Sequence, residues 1–272
     1  MIVSDLHTHT HYSHGRDSVA DMCRAALERG LSFFGFSEHS PRPEGYTYPV
    51  EYRDRLRQGF PSYVEEVRAL QDGRSRKMTV LLGMEADWIG AAREFVRQAV
   101  FAYDFDYLIG SVHFLDHWGF DFSSRDWTPL DAAARNAAYA AYFAAVADMA
   151  QSGLFQIAGH LDLIKIFSAR DFHAWLAGNL DLVQEALVCM LDAGMALEVS
   201  SAGLRKPCAE IYPAPAIMRL AADLRVPIAF ASDAHAADQV AHAFPELAAY
   251  AASFGYSKSL VFRGKDRIEL AF

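Results

Sequence analysis

The chain has 272 residues, 52% of them apolar, which is enough to bury one large core, and it carries a formal charge of −9. That balance argues against a nucleic-acid partner, which is usually held by a basic face, and leaves room for a basic pocket inside an acidic shell. Three scattered cysteines, Cys23, Cys189 and Cys208, exclude a disulfide framework or a thiolate zinc knuckle and point to reduced thiols in the cytoplasm.

In chain order, "MIVSDLH" reads as a first strand, with neither the charged nor the apolar segment of a secretory signal. Asp17 or Ser18 caps a helix through Arg29, and Gly30 ends it. "SFFGFSEH" is a second strand, followed by a polar, Pro-rich loop and a helix near 51–72 that Pro61 is expected to break. "MTVLLGME" is a third strand, with a helix at about 91–102 behind it, and "FDYLIGSVHF" is a fourth. The Ala-rich segment from Pro129 to Gly153 is a helix, with the proline in its first turn and the glycine past its end. "FQIAGH" is a fifth strand, followed by a helix reaching Gly194; "MALEVSS" is a sixth, with "PAPAIMRLAADLR" as its helix. "PIAFASDAH" is a seventh, followed by helix 238–254, and "SKSLVFRG" and "RIELAF" read as closing strands.

No apolar run approaches the ~20 residues of a spanning helix, so no membrane partner is expected. No linker divides residues 1–272, which read as a single domain. Alternating helices and buried-type strands argue for an α/β parallel sheet, and this many units argue for a closed barrel. No Gly-x-Gly-x-x-Gly follows the first strand, so a dinucleotide fold has no support.

The polar residues fall at one topological position. Strand one ends at His7 and His9, with His14 just beyond; strand two ends at His39, strand three at Glu85, strand four at His113, strand five at His160, and strand seven at Asp233 and His235. In a parallel barrel these ends share one face, where active sites are built. A lone strand-end histidine is usually a satisfied polar residue, but this set is not alone. Imidazole and carboxylate together ligate zinc, iron or manganese. The period of two in His7-x-His9 and Asp233-x-His235 turns each pair to one side of its strand. The candidates exceed what one ion can use, so two or three divalent ions are expected, with a carboxylate such as Glu85 able to bridge. His11 is expected to point outward, His117 lies in a loop at the pocket, and His173 and His242 fall on helix surfaces.

"DLHTHT", "SEHS", "GME", "GSVHF", "GHLDL" and "SDAH", in that order, resemble the polymerase-and-histidinol-phosphatase (PHP) family. "GSVHFLDHWGFD", "GHLDLIK" and "LEVSSAGLRKPCAEIYPAPAIMRLA" resemble its histidinol-phosphate phosphatase branch, and the likeness runs from about Asp5 to Val240. The resemblance implies a distorted (β/α)7 TIM-like barrel with a trinuclear site. Carried over, it gives His7, His9, Glu85 and Asp233 to one ion, Glu85, His113 and His160 to a second, and His14, His39 and His235 to a third, with His11 competing for the place of His14. It also implies a cytoplasmic enzyme of histidine biosynthesis, with L-histidinol phosphate as its small-molecule substrate.

Phosphomonoester hydrolysis needs a nucleophile at neutral pH and charge neutralisation, and metal ions supply both, through a hydroxide bridging two of them. Glu85, Asp233 and His235 are the expected catalytic residues. Strand six alone among the first seven offers no ligand, so Arg205 and Lys206 in its loop are expected to hold phosphate, as is Lys165 after His160. Asp116, Trp118 and Asp121 could meet an amine or an imidazole, and Arg42 is a further lid contact. Rival readings are a related phosphoesterase for nucleotides or other small phosphorylated metabolites, and a non-catalytic metal-binding protein. An amidohydrolase-type barrel would want a carbamylated lysine that strand four lacks. Assembly into a homo-oligomer stays open.

Overall fold

A computed structural model of the chain describes residues 1–46, 48, 50–72 and 77–272. β1 (Ser4–Asp5), α1 (Val19–Glu28), β2 (Phe33–Phe36), α2 (Val50–Asp72), β3 (Thr79–Asp87), α3 (Arg93–Val100) and β4 (Tyr107–Ser111) alternate through the first part. A short antiparallel hairpin, β5 (Phe114–Leu115) with β6 (Trp118–Gly119), leads to α4 (Ala132–Gln151) and β7 (Ile157–Ala158). Then come α5 (Ala169–Leu176), α6 (Leu180–Asp192), β8 (Ala196–Ser200), α7 (Pro215–Leu224), β9 (Ile228–Ala231) and α8 (Phe244–Ser253), followed by β10 (Lys258–Arg263) and β11 (Asp266–Ala271).

Seven strands form one parallel sheet in the order β1-β2-β3-β4-β7-β8-β9. Its two outer strands meet. Leu6 N–H donates to the Phe230 carbonyl at 3.3 Å, His9 N–H to that of Ala234 at 2.8 Å, and Ala234 N–H to that of His7 at 3.3 Å. Beside this seam the buried Asp5 carboxylate accepts the Ser232 N–H at 2.9 Å, the Ser232 hydroxyl at 2.6 Å and the Ala241 N–H at 2.9 Å. The sheet is thereby a nearly closed (β/α)7 barrel.

The lower interior is apolar. Leu6, Leu81, Tyr107, Ile109, Ile157, Ala196 and Ala229 pack together with Leu260, Val261 and Phe262. Tyr107 fills the centre because two neighbouring strands carry glycine there. A Cβ on Gly35 would lie 2.1 Å from the Tyr107 hydroxyl oxygen, and one on Gly83 would lie 2.5 Å from its Cζ. The hydroxyl donates to the Leu6 carbonyl at 2.5 Å.

Several elements depart from expectation. Pro61 lies inside an unbroken α2. Phe60, Tyr63, Val64 and Val67, at helical spacing, are buried on it, and their burial outweighs the ~3 kcal/mol penalty of an interior proline. Pro129 precedes α4, which Asp131 caps through the Ala134 N–H at 2.8 Å. The helix expected up to Gly194 is two, parted around Gly178 and Asn179, residues of low helix propensity. α8 starts at Phe244, so His242 lies in a turn before it. β10 and β11 pair only with each other, as a hairpin under the barrel. No single helix among the described residues is long and apolar enough to cross a membrane; α5 and α6 pass that test only as a pair bent by 88°.

Candidate metal centre

Glu85, near the end of β3, stands at the hub of the upper face. Its Oε2 lies 3.3 Å from His7 Nε2, 3.4 Å from His9 Nε2 and 2.8 Å from His39 Nδ1. Its Oε1 lies 2.9 Å from His160 Nε2 and 3.5 Å from His113 Nε2. Asp233 Oδ1 faces the other side of the pair from β1, 3.3 Å from His9 Nε2, 3.8 Å from His7 Nε2 and 3.4 Å from His235 Nδ1. The fold fixes these side chains locally. His39 bridges to Glu85, and Thr8 to Ala234, as parallel extensions of the sheet. His160 and Asp233 sit at φ 21° and 48°, in the sparsely populated left-handed region, just past the ends of β7 and β9.

The ring of His9 stacks between those of His39 at 4.3 Å and His235 at 4.4 Å, while His14 stands outside them, 4.2 Å from His235 and 4.9 Å from His39. His11 instead packs on Tyr12 at 4.3 Å. Ligand atoms converge within 4.8 Å in four sets: His7, His9 and Glu85; Glu85, His113 and His160; His9, His39 and His235; and His39, Asp87 and His113. The first holds three of the four residues expected together, without Asp233, and the second is the expected trio. The third takes His9 where His14 was expected.

A further layer of carboxylates orients the rings. His7 Nδ1 meets Glu198 Oε2 at 2.6 Å, and Glu198 Oε1 accepts the His160 N–H at 3.2 Å. His113 Nδ1 meets Asp87 Oδ1 at 2.5 Å. Glu38 accepts both the N–H and the hydroxyl of Thr10 at 2.5 Å, with its other oxygen 3.8 Å from His9 Nδ1. None of the three was singled out from sequence. Asp87 follows Glu85 by two residues on one strand face, which is a readable signal. β8 was expected to supply no metal ligand, and Glu198, which projects from it, belongs to none of the four sets but orients His7 from behind.

Charge follows geometry. Burial works against ionising Glu85, but His39, His7 and His113 outweigh it and hold the carboxyl well below the usual range. Burial is likewise overcome at Asp233 by His235 and His7. Burial pushes His39 down to about 4. At His113, burial is outweighed by Asp87 and Glu85, which push it up to about 9.

The residues fit metal ions. The Nε2 atoms of His7, His9 and His235 are buried with no hydrogen-bond partner among the described residues. Such atoms are normally satisfied, and three of them beside two anionic carboxylates form a donor set that divalent cations satisfy.

The family described as "PHP domain" matches residues 5–202. The chain belongs to the PHP family. A relative from Deinococcus radiodurans, named "Probable histidinol-phosphatase", is 37% identical over 89% of this chain and 90% of its own. The "Histidinol-phosphatase" of Bacillus subtilis is 26% identical over 88% of this chain and 96% of its own. Among solved structures, the histidinol phosphate phosphatase of Lactococcus lactis, complexed with zinc, L-histidinol and phosphate, has the same fold. It aligns with a TM-score of 0.75 at 19% identity over 97% of this chain and 98% of its own.

In this PHP barrel the cluster opens into a cavity of about 320 Å³. Arg42, Lys206 and Asp121, three of the candidate substrate contacts, line it; so do Tyr48, Phe122 and Leu163. Arg42 is anchored by its Nε, which donates to Asp87 Oδ2 at 2.5 Å. The other candidates lie elsewhere. Lys165 is fully buried, 2.9 Å from Asp162 Oδ2 and 3.1 Å from Glu210 Oε2, so its charge is taken up in tying two loops together. Arg205 Nη2 donates to the carbonyls of Ser232 at 2.8 Å and Asp233 at 3.1 Å, bracing the end of β9. Trp118 packs on Trp127 at 5.1 Å. Asp116 lines a separate cleft with Trp88 and Asp148. His117 rests on Tyr46 at 4.4 Å, and the partly exposed His173 pairs with Glu210 at 2.8 Å.

Proposed function

We propose that this chain hydrolyses L-histidinol phosphate to L-histidinol and phosphate, using two or three divalent ions. The observation that carries the reading is the five-histidine shell around Glu85, with Asp233 beside it, open to a cavity that also holds Arg42 and Lys206. Its likeness along most of its length to a relative bearing that name supports the choice of substrate.

In this reading His7, His9, Glu85 and Asp233 hold one ion, and Glu85, His113 and His160 hold another. His39 and His235 hold a third, with His14 at its outer side. Such ions, when bound, supply a nucleophile at neutral pH and neutralise phosphoryl charge. The chain's own part is to fix the ligands and shape the site. Glu198, Asp87 and Glu38 set the ring orientations. Lys206 and Arg42 bring positive charge to the phosphate. Zinc, iron or manganese all suit this donor set. The three free cysteines support a cytoplasmic location.

The test is elemental analysis of protein purified without chelator, together with turnover on a phosphomonoester panel that includes histidinol phosphate and nucleotides. Two or three ions per chain and a clear preference for histidinol phosphate are expected. Full activity in excess chelator would end the reading.

A further inference from the structure

The cavity has two chemically different sides. One is the histidine cluster. The other is a wall that includes Tyr48, Asp121, Phe122 and Leu163. Three carboxylates line the cavity among the described residues, and two of them, Glu85 and Asp233, belong to the cluster. Asp121 is the third, and it stands apart from every candidate ligand set.

Asp121 is a placed group. It accepts a hydrogen bond from the Tyr48 hydroxyl. The Tyr48 ring is itself held, 5.3 Å from Phe114 and 5.1 Å from Phe122, at interplanar angles of 27° and 18°. Arg42 lies 5.2 Å from the Tyr48 ring centre and is fixed by Asp87. Phe122 caps this stack and is 60% exposed, one of the few large apolar side chains left facing solvent.

A carboxylate held on the wall of a phosphate-cleaving cavity does nothing for the phosphate, which it repels. Its charge is useful to a substrate that carries a cation on the far side of its phosphate ester. An exposed aromatic ring next to it offers a stacking face to a planar heterocycle. We infer that Asp121, positioned by Tyr48, binds the ammonium group of the substrate, that Phe122 receives its ring, and that this pair selects amine-bearing phosphomonoesters over neutral ones. The inference deepens the histidinol-phosphate reading and rests on it.

The experiment uses the metal-loaded enzyme with two substrates, L-histidinol phosphate and p-nitrophenyl phosphate, which has no amine. Asp121→Asn keeps the shape and removes the charge. It is expected to lower kcat/KM for histidinol phosphate about 10- to 100-fold, mainly through KM, the scale of one lost charge-assisted hydrogen bond. Turnover of p-nitrophenyl phosphate should stay within about 2-fold, which excludes damage to the fold or the metals. L-Histidinol should weaken as an inhibitor while inorganic phosphate does not. Phe122→Ala, a change at an exposed side chain, should raise KM for both substrates, since each carries a planar ring, and leave inhibition by inorganic phosphate unchanged. Equal losses on both substrates in Asp121→Asn, or none on either, would overturn the assignment. A wild-type enzyme that cleaves p-nitrophenyl phosphate but not histidinol phosphate would end the substrate reading itself, and this assignment with it.

Discussion

The two ends of the barrel are made from the same strands and have opposite chemistry. Along β3, Leu81 belongs to the apolar floor, Gly83 makes room for the Tyr107 ring, and Glu85 and Asp87 reach the histidines. The side-chain period of two keeps all four on the inner face. Below, closely packed groups without charge are held by burial. Above, buried charges face ring nitrogens, and the Nε2 atoms of His7, His9 and His235 have no hydrogen-bond partner among the described residues. The difference teaches that stability and chemistry are separated along the strand axis of this molecule, about two residues apart.

The largest effect should come from the hub. Glu85→Gln keeps the volume and removes the charge that faces five imidazoles. Activity should fall by at least ~100-fold, with metal content lowered and circular dichroism unchanged. Near-normal turnover would break the contrast at its centre. Gly83→Ala probes the floor. Its added methyl meets the Tyr107 ring, and overpacking of this kind costs about 2 kcal/mol. Thermal unfolding should shift down by several degrees while kcat per folded molecule holds. A variant that lost kcat at full stability would show the two ends to be coupled. The smallest effect sharpens the upper boundary. Asp87→Asn leaves an amide between His113 and Arg42 in place of a charge. About a 10-fold loss in kcat/KM is expected, with a lowered melting temperature because the buried Arg42 charge loses its partner, and with metal content retained.

Much of this arrangement was legible in the sequence. The strand-end histidines, Glu85 and Asp233 could be placed because each stands near or just past the end of a buried strand, and in a parallel barrel that position fixes the face. What lies one step further out could not. Glu198 and Glu38 act by setting ring orientation, and ring orientation depends on rotamers rather than on residue spacing. The cations after strands misled for a related reason. Lys165 and Arg205 each end a short 3-10 turn, Leu163–Lys165 and Ala202–Arg205. There Lys165 meets Asp162 and Glu210, and Arg205 meets backbone carbonyls, while the neighbouring Lys206 lines the cavity. Asp121 was visible as a carboxylate in a loop with aromatics, but only the structure separates it from Asp116, by the Tyr48 contact and by its place on the cavity wall. Pro61 shows the remaining limit: a local helix breaker loses to the burial of a whole helix face.

The seam between β1 and β9 has one more consequence. β1 contributes only two residues to the sheet, and a few backbone bonds plus Asp5 join it to β9. Yet His7 and His9 leave one side of that seam, and Asp233 and His235 leave the other. Ions held by both sides would act as a clasp on the ring, binding distant stretches of one chain into a closed hoop. The folded state would then draw part of its stability from the same ions that serve the chemistry, since whatever binds the closed form alone favours it. Depletion of metal in the cell would loosen the hoop at its thinnest join, making ion supply a determinant of how long each molecule lasts as well as how fast it works.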